Sequence, residues 1–139
     1  MNRIDQAFQK SKNDGRALFI AYIMGGDPDL RATQVLVPAL ERAGVDIIEL
    51  GVPFSDPIAD GMVNQKASNR SIASGTTLRK LLETVSFIRK TSQIPLVLFS
   101  YLNPLLQMGL ENFARQAAQA GVDGVLTVDL PPEEAAPYT

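Results

Sequence analysis

An α/β fold built on a parallel sheet is what this sequence predicts, and three observations carry the prediction. Short apolar runs of strand length alternate with longer segments whose apolar residues recur at helical spacing. The runs are apolar throughout, as strands covered on both faces are. The tetrapeptide Ala-Gly-Val-Asp occurs at residues 43–46 and again at 120–123, each time after a helical segment and before a strand-like run. Such an echo makes those two strands structurally equivalent, as repeated βα units would be.

Residues 2–11 read as a helix, with Ile4, Ala7 and Phe8 on one side and Asn13-Asp14-Gly15 ending it. Residues 17–24 are the first strand. Gly25, Gly26, Asp27, Pro28 and Asp29 form a loop in which Asp27 or Asp29 can cap the second helix. That helix covers residues 30–43. Pro38 inside it predicts a kink or a late start, since an interior proline costs about 3 kcal/mol. Gly44 suits the position just past the helix, and residues 45–50 are the second strand. A long loop comes after it, punctuated by Gly51, Pro53, Pro57 and Gly61. Helices over 63–73 and 78–91 come next, the latter with Leu81, Leu82, Val85 and Ile88 as an apolar stripe. Residues 94–101 are the third strand, Asn103-Pro104 a turn, 110–120 a helix and 124–130 the fourth strand. Pro131, Pro132, Glu133 and Glu134 suit the first turn of a further helix.

The chain has 139 residues, 45% apolar and 20% charged, which suits one domain with a real core. Lys and Arg number 13 against 15 Asp and Glu, a net charge of −2 with no basic stripe, which argues against nucleic acid and anionic membrane as partners. Cysteine is absent, so disulfides and thiol chemistry are excluded. Histidine is absent too, which excludes a Ser–His pair, a histidine base and the usual zinc sites. Acid–base work falls to Asp, Glu, Tyr or Lys. The first ten residues lack the apolar core of a signal peptide. The longest apolar run is far too short to span a bilayer, so the expected location is the cytoplasm.

Glu49 is the candidate on which the chemistry turns. It stands alone among Ile47, Ile48 and Leu50, where an ionised carboxylate is costly unless paired, hydrogen-bonded or used. Either a distant Lys or Arg neutralises it, or it transfers protons, a role that burial favours by stabilising the protonated form. Asp56 and Asp60 lie on the loop after that strand, as turn-formers, as working acids or as carboxylates around Mg²⁺. Gly25-Gly26 lacks the phosphate-loop patterns and reads more readily as a plain turn. Tyr22, Phe99, Tyr101, Leu126 and Val128 lie in or beside strands, as core or as the lining of a pocket for a flat ring. Two architectures compete. A doubly wound open sheet can be complete at this length. A (β/α)8 TIM barrel takes about 250 residues, so this chain would hold about its first four βα units. The number of strands and the acids at strand ends favour the half-barrel.

Residues 49–61, Glu-Leu-Gly-Val-Pro-Phe-Ser-Asp-Pro-Ile-Ala-Asp-Gly, resemble the signature of the tryptophan synthase alpha chain family. Gly26-Asp27-Pro28, Tyr101 with Asn103, and Val128-Asp129-Leu130-Pro131 fit the same family in the same order. The resemblance covers the whole chain and implies that residues 1–139 are the N-terminal part of a single TIM-barrel domain. It implies a lyase of tryptophan biosynthesis that splits indole-3-glycerol phosphate into indole and glyceraldehyde 3-phosphate by a retro-aldol reaction. Glu49 would then be the general acid and base, and Asp60 would accept a hydrogen bond from the indole nitrogen. Tyr22, Phe99, Tyr101, Leu126 and Val128 would touch the indole. Pro53 and Asp56 would face a beta chain that carries pyridoxal phosphate and receives indole through a tunnel, in a heterotetramer. The alpha chain itself would carry no cofactor and no metal.

Met24 stands where that family commonly has threonine, Met62 where it has proline, and Asn64 is also atypical. Met62 should loosen the loop before it. The family's phosphate-binding glycine loops, and a further active-site tyrosine, fall in the second half of the barrel. An alternative expectation is therefore a catalytically inactive half-barrel that binds a beta chain or self-associates. A lysine-dependent aldolase barrel fits less well, since no lysine falls in a predicted strand.

Overall fold

The structure, a computed structural model, describes residues 1–138. Its elements are α1 (Arg3–Asn13), β1 (Ile20–Met24), α2 (Leu30–Arg42), β2 (Ile47–Gly51), α3 (Met62–Ala73), α4 (Leu78–Ile88), β3 (Leu96–Ser100), α5 (Leu102–Met108), α6 (Leu110–Ala120) and β4 (Gly124–Thr127). Two 3-10 turns, Pro132–Glu134 and Ala136–Tyr138, come last. Helix starts are set by side chains that accept otherwise unpaired amides. Asn2 and Asp5 form a capping box on α1, Asp29 takes the Ala32 N–H at 2.7 Å, and Thr77 caps α4.

All strands run parallel, in the order β1-β2-β3-β4. That order decides between the two architectures. A doubly wound sheet reverses its strand order, and no reversal occurs among the described residues. Each crossover advances one strand in the same direction, and right-handed crossovers then put α2, α4 and α6 on one face. α2 packs on α4 and α4 on α6. Ile48, Leu50, Leu96 and Leu98 meet Val37, Leu81, Val85, Ile88 and Phe113 in one buried cluster beneath these helices.

The repeated Ala-Gly-Val-Asp proves to be one structural device used twice. Asp46 N–H donates to Phe19 O at 2.9 Å, and its carboxylate accepts from Phe19 N–H at 2.9 Å and from both ends of Arg16. Asp123 N–H donates to Leu96 O at 2.9 Å, and its carboxylate accepts from Leu96 N–H at 2.9 Å. Arg89 and Arg3 complete the second site at 2.7 and 2.9 Å. Each aspartate thus locks the entry of its own strand to the entry of the strand before it.

Several sequence expectations change. β1 begins at Ile20 rather than at residue 17, because Asp46 takes the Phe19 amide and carbonyl and only one side of β1 has a neighbour. The predicted turn at Asn103-Pro104 is instead the start of α5, where a proline removes only an amide that has no partner within the helix. α2 starts at Leu30 and runs through Pro38, so the late start does not occur. β4 ends at Thr127, and the helix expected after Pro131 is a pair of 3-10 turns. Pro137 lacks the amide that a continuing α-helix would need there. Among the described residues no helix is long and apolar enough to cross a membrane.

Candidate active site

Strand register places the candidates. Tyr22 pairs with Glu49 and Glu49 with Val97, while Met24 aligns with Gly51, Gly51 with Phe99 and Phe99 with Leu126. Residues in register on parallel strands point to the same side. Tyr22, Glu49, Phe99 and Leu126 therefore share the sheet face opposite the buried helix-facing cluster. This is the surface that becomes a barrel's interior; Glu49 stands at the middle of β2, and Asp60 lies on the loop that leaves its C-terminal end, the end at which barrels hold their chemistry. Tyr22 and Phe99 rings meet edge to face, 5.3 Å between centroids. A Cβ at Gly51 would strike the Tyr22 hydroxyl, so a larger residue there would displace that ring, and Met24 sulfur lies 3.2 Å from the same point.

The loop from Val52 to Gly61 brings Asp60 to this face through a series of ties. Val52 N–H continues the ladder to Phe99 O at 2.9 Å. Ser68, fully buried on α3, both accepts from Phe54 N–H at 3.0 Å and donates to Phe54 O at 2.9 Å. The Phe54 ring packs on Tyr101, 5.3 Å between centroids. The Tyr101 hydroxyl accepts from Ala59 N–H at 2.9 Å, and Gln65 Nε2 donates to Asp60 O at 2.8 Å. Asp129 carboxylate accepts from Leu102 N–H at 2.7 Å, which anchors the residue after Tyr101. Met62, the first residue of α3, is exposed, so loop order comes from these hydrogen bonds rather than from a proline.

The electrostatics are those of a half-buried face: Tyr22, Glu49 and Asp60 are each partly shielded from water. Burial pushes the Asp60 carboxyl above its usual range, and a hydrogen bond with the Tyr101 hydroxyl pulls it partly back. Burial pushes the Tyr22 hydroxyl up to about 12, and the charges of Asp60 and Glu49 add to the effect. Tyr22 thus feels both acids and stays protonated, able to donate a hydrogen bond but not to act as a base. Tyr101 is raised first by burial, with the Ala59 amide opposing and Asp60 and Asp129 adding.

Other candidates lie farther out. Pro53 is half-buried at the loop's start, and Asp56 is exposed and accepts from Ser55 Oγ at 2.7 Å. Asp56 and Asp60 belong to no group of three potential metal ligands among the described residues. Val128 is half-buried just past β4, its N–H on Ser100 O at 3.0 Å. Gly25 and Gly26 are a structural turn: their amides go to Gly51 O at 2.9 Å and Thr33 Oγ1 at 2.8 Å, leaving none for a phosphate. Gln65 and Ser68 escaped the sequence reading. The signal was α3 itself, whose buried residues are Ala67, Ser68 and Ser71 rather than large apolar ones.

Strand order defines a half-barrel of the (β/α)8 class, with Glu49 on its inner face and Asp60 on the loop after β2. The chain belongs to the tryptophan synthase alpha chain family, whose model matches residues 8–139. It is 54% identical over 138 residues to the tryptophan synthase alpha chain of Geobacter sulfurreducens, covering 99% of this chain and 52% of that one. The Dechloromonas aromatica alpha chain is 55% identical over 139 residues, again with 99% and 52% coverage. Among solved structures, tryptophan synthase subunit alpha from Legionella pneumophila superposes with a TM-score of 0.96 at 44% identity, over 99% of this chain and 53% of that one. An aminoacrylate-bound tryptophan synthase from M. tuberculosis gives 0.92 at 36% identity, over 99% and 56%. The chain therefore spans about half the length of the relatives it matches.

Proposed function

We propose that residues 1–139 are the N-terminal part of a single barrel domain that cleaves indole-3-glycerol phosphate to indole and glyceraldehyde 3-phosphate in cytoplasmic tryptophan biosynthesis. The observation that carries this reading is that Glu49 lies in register with Tyr22 on the face where the Tyr22 and Phe99 rings meet, with the charge of Asp60 acting on the same Tyr22 hydroxyl. In the reaction Glu49 donates a proton to indole C3, which leaves a positive charge on the ring. Asp60 accepts the ring N–H and stabilises that charge. The Glu49 carboxylate then takes the proton of the hydroxyl on the adjoining carbon. That carbon becomes the aldehyde, and the electron pair of the broken C–C bond returns to the ring. Glu49 ends as it began, protonated, and the protein residues need no cofactor for any step. Tyr22, Phe99, Tyr101, Leu126 and Val128 line the site for the flat ring. Pro53 and Asp56 would face a beta chain, which carries pyridoxal phosphate and receives the indole.

The test is Glu49→Gln in the full-length barrel, assayed for indole release. Loss of a positioned general acid is expected to lower kcat by at least about 10²-fold. Release at the parent rate overturns the assignment.

A second reading rests on a separate observation. β1 and β4 each lack a neighbour on one side among the described residues. An apolar groove of about 770 Å³ runs beside β4, with Leu105, Phe113 and Leu126 in its walls. On this reading the 139-residue chain is an inactive half-barrel that binds a beta chain or self-associates. Association with a beta chain without turnover supports it, and turnover by the chain alone excludes it.

A further inference from the structure

Gln65 lies in the first turns of α3, whose N-cap residue Gly61 makes no side-chain cap. A side chain near a helix N-terminus tilts back toward that end, and Gln65 does so. Its Nε2 donates to Asp60 O at 2.8 Å. This bond does nothing for the helix. The open groups at a helix N-terminus are amide donors, which need acceptors, whereas Gln65 brings a donor and gives it to a carbonyl outside the helix. What it holds is the loop. The Tyr101 hydroxyl grips the same loop one residue earlier, at Ala59 N–H, 2.9 Å away. The two bonds therefore bracket the Cα of Asp60, one from the end of β3 and one from α3. With the backbone gripped on both sides, the Cα–Cβ bond of Asp60 has one direction, and its carboxylate is left only the few rotamers that start from it.

We propose that Gln65 is a positioning residue for Asp60: with the Tyr101 hydroxyl it fixes the direction in which the Asp60 side chain leaves the loop. The role of that carboxylate toward indole rests on the function proposed above, but the clamp does not. Titratable groups facing Asp60 are Tyr101 on the loop after β3, Tyr22 on β1 and, through Tyr22, Glu49 on β2. None of them contacts the Gln65 carboxamide in a hydrogen bond, so its removal changes the geometry around Asp60 without changing the charges around it.

Two measurements on the full-length barrel separate the clamp from the function. The first tracks the Asp60 carboxyl carbon by NMR through a pH titration. In the parent chain it titrates above the ordinary carboxylate range. In Gln65→Met, which keeps length and helix propensity but cannot donate, it moves toward that range as the freed carboxylate turns to water. Gln65→Leu, which likewise cannot donate and adds no charge, serves as the second variant, and amide spectra establish that each is folded. An Asp60 titration and carboxyl shift identical to the parent's in a folded Gln65 variant overturns the proposal. The second measurement is indole affinity. Gln65→Met is expected to weaken indole binding about tenfold, as displacement of a positioned group does. In an Asp60→Asn background the same change should have under about twofold effect, since residues acting through one another are not additive. Equal losses in both backgrounds overturn the proposal. If Asp60→Asn leaves indole affinity unchanged, the reading of Asp60 as an indole contact falls, and the titration still judges Gln65.

Discussion

Asp60 is a residue on which burial and hydrogen bonding pull in opposite directions, with burial the stronger. An acid raised in this way ionises later as pH rises. If its anion stabilises the cationic ring, activity should climb through an acid limb that lies above the ordinary carboxylate range. Asp60→Asn should abolish that limb along with most of the rate, and a pH–rate profile of the full-length barrel checks both. The stability consequence has the opposite sign. A group whose folded-state pKa is raised favours the fold while protonated and loses that contribution as pH rises through the folded value. Asp60→Asn should therefore melt slightly higher than the parent at neutral pH, which calorimetry checks. An active-site group held at some cost to the fold is a common trade.

At the scale of elements, the two aspartates that lock strand entries differ in depth, and their predicted effects differ accordingly. The Asp123 side chain is only 4% exposed and Arg89 only 10%, so removing the acid strands a buried guanidinium. Asp123→Ala is expected to cost about 3–5 kcal/mol, as breaking one side of a buried pair does, measured by denaturant unfolding. Asp46 sits nearer water. Its hydrogen bonds to Arg16 and to the Phe19 amide lower its carboxyl from 3.8 to about 2. A depressed acid stabilises the fold above its unfolded value, and that contribution is lost as pH falls toward the folded one. Asp46→Asn should thus narrow the stability difference between pH 5 and about pH 2, and acid unfolding curves would show it. In α4, Leu81 is fully buried and packs against the Gly25 turn. Leu81→Ala is expected to cost about 3 kcal/mol through the cavity it leaves.

Across the whole molecule, the sheet is protected in its middle and open at its margins. β2 and β3 are paired on both sides, β1 and β4 on one. Hydrogen exchange should find Ile48, Leu50 and Leu98 the slowest and Val125 and Leu126, 43% and 40% exposed, among the fastest strand amides. Protection of β4 equal to that of β2 would mean that something covers its edge, which is the outcome the self-associating or beta-chain-bound form predicts. A beta chain added to the chain in the same experiment identifies which surface it covers. Protection is expected in the loop around Pro53 and Asp56 if that loop is the contact.

Local chemistry by itself determined much of this protein. Apolar runs placed the four strands, apolar residues at helical spacing placed most of the helices, and the repeated Ala-Gly-Val-Asp marked two equivalent junctions before either could be seen. Glu49 stood out because a charged side chain in a buried strand needs a reason, whereas Asp60 stood out only through the family resemblance of residues 49–61. Tertiary structure decided what depends on neighbours distant in sequence. Strand order, hence half-barrel rather than doubly wound sheet, is a property of pairing and not of any one segment. The ends of β1 and β4 were set by where the ladder ran out, and Pro104 entered a helix because a first turn tolerates a missing amide. Gln65 looked like any surface glutamine, since a side chain that grips a backbone carbonyl leaves no mark in composition or periodicity. Its bond to Asp60 exists only because the loop folds back over the helix that comes after it.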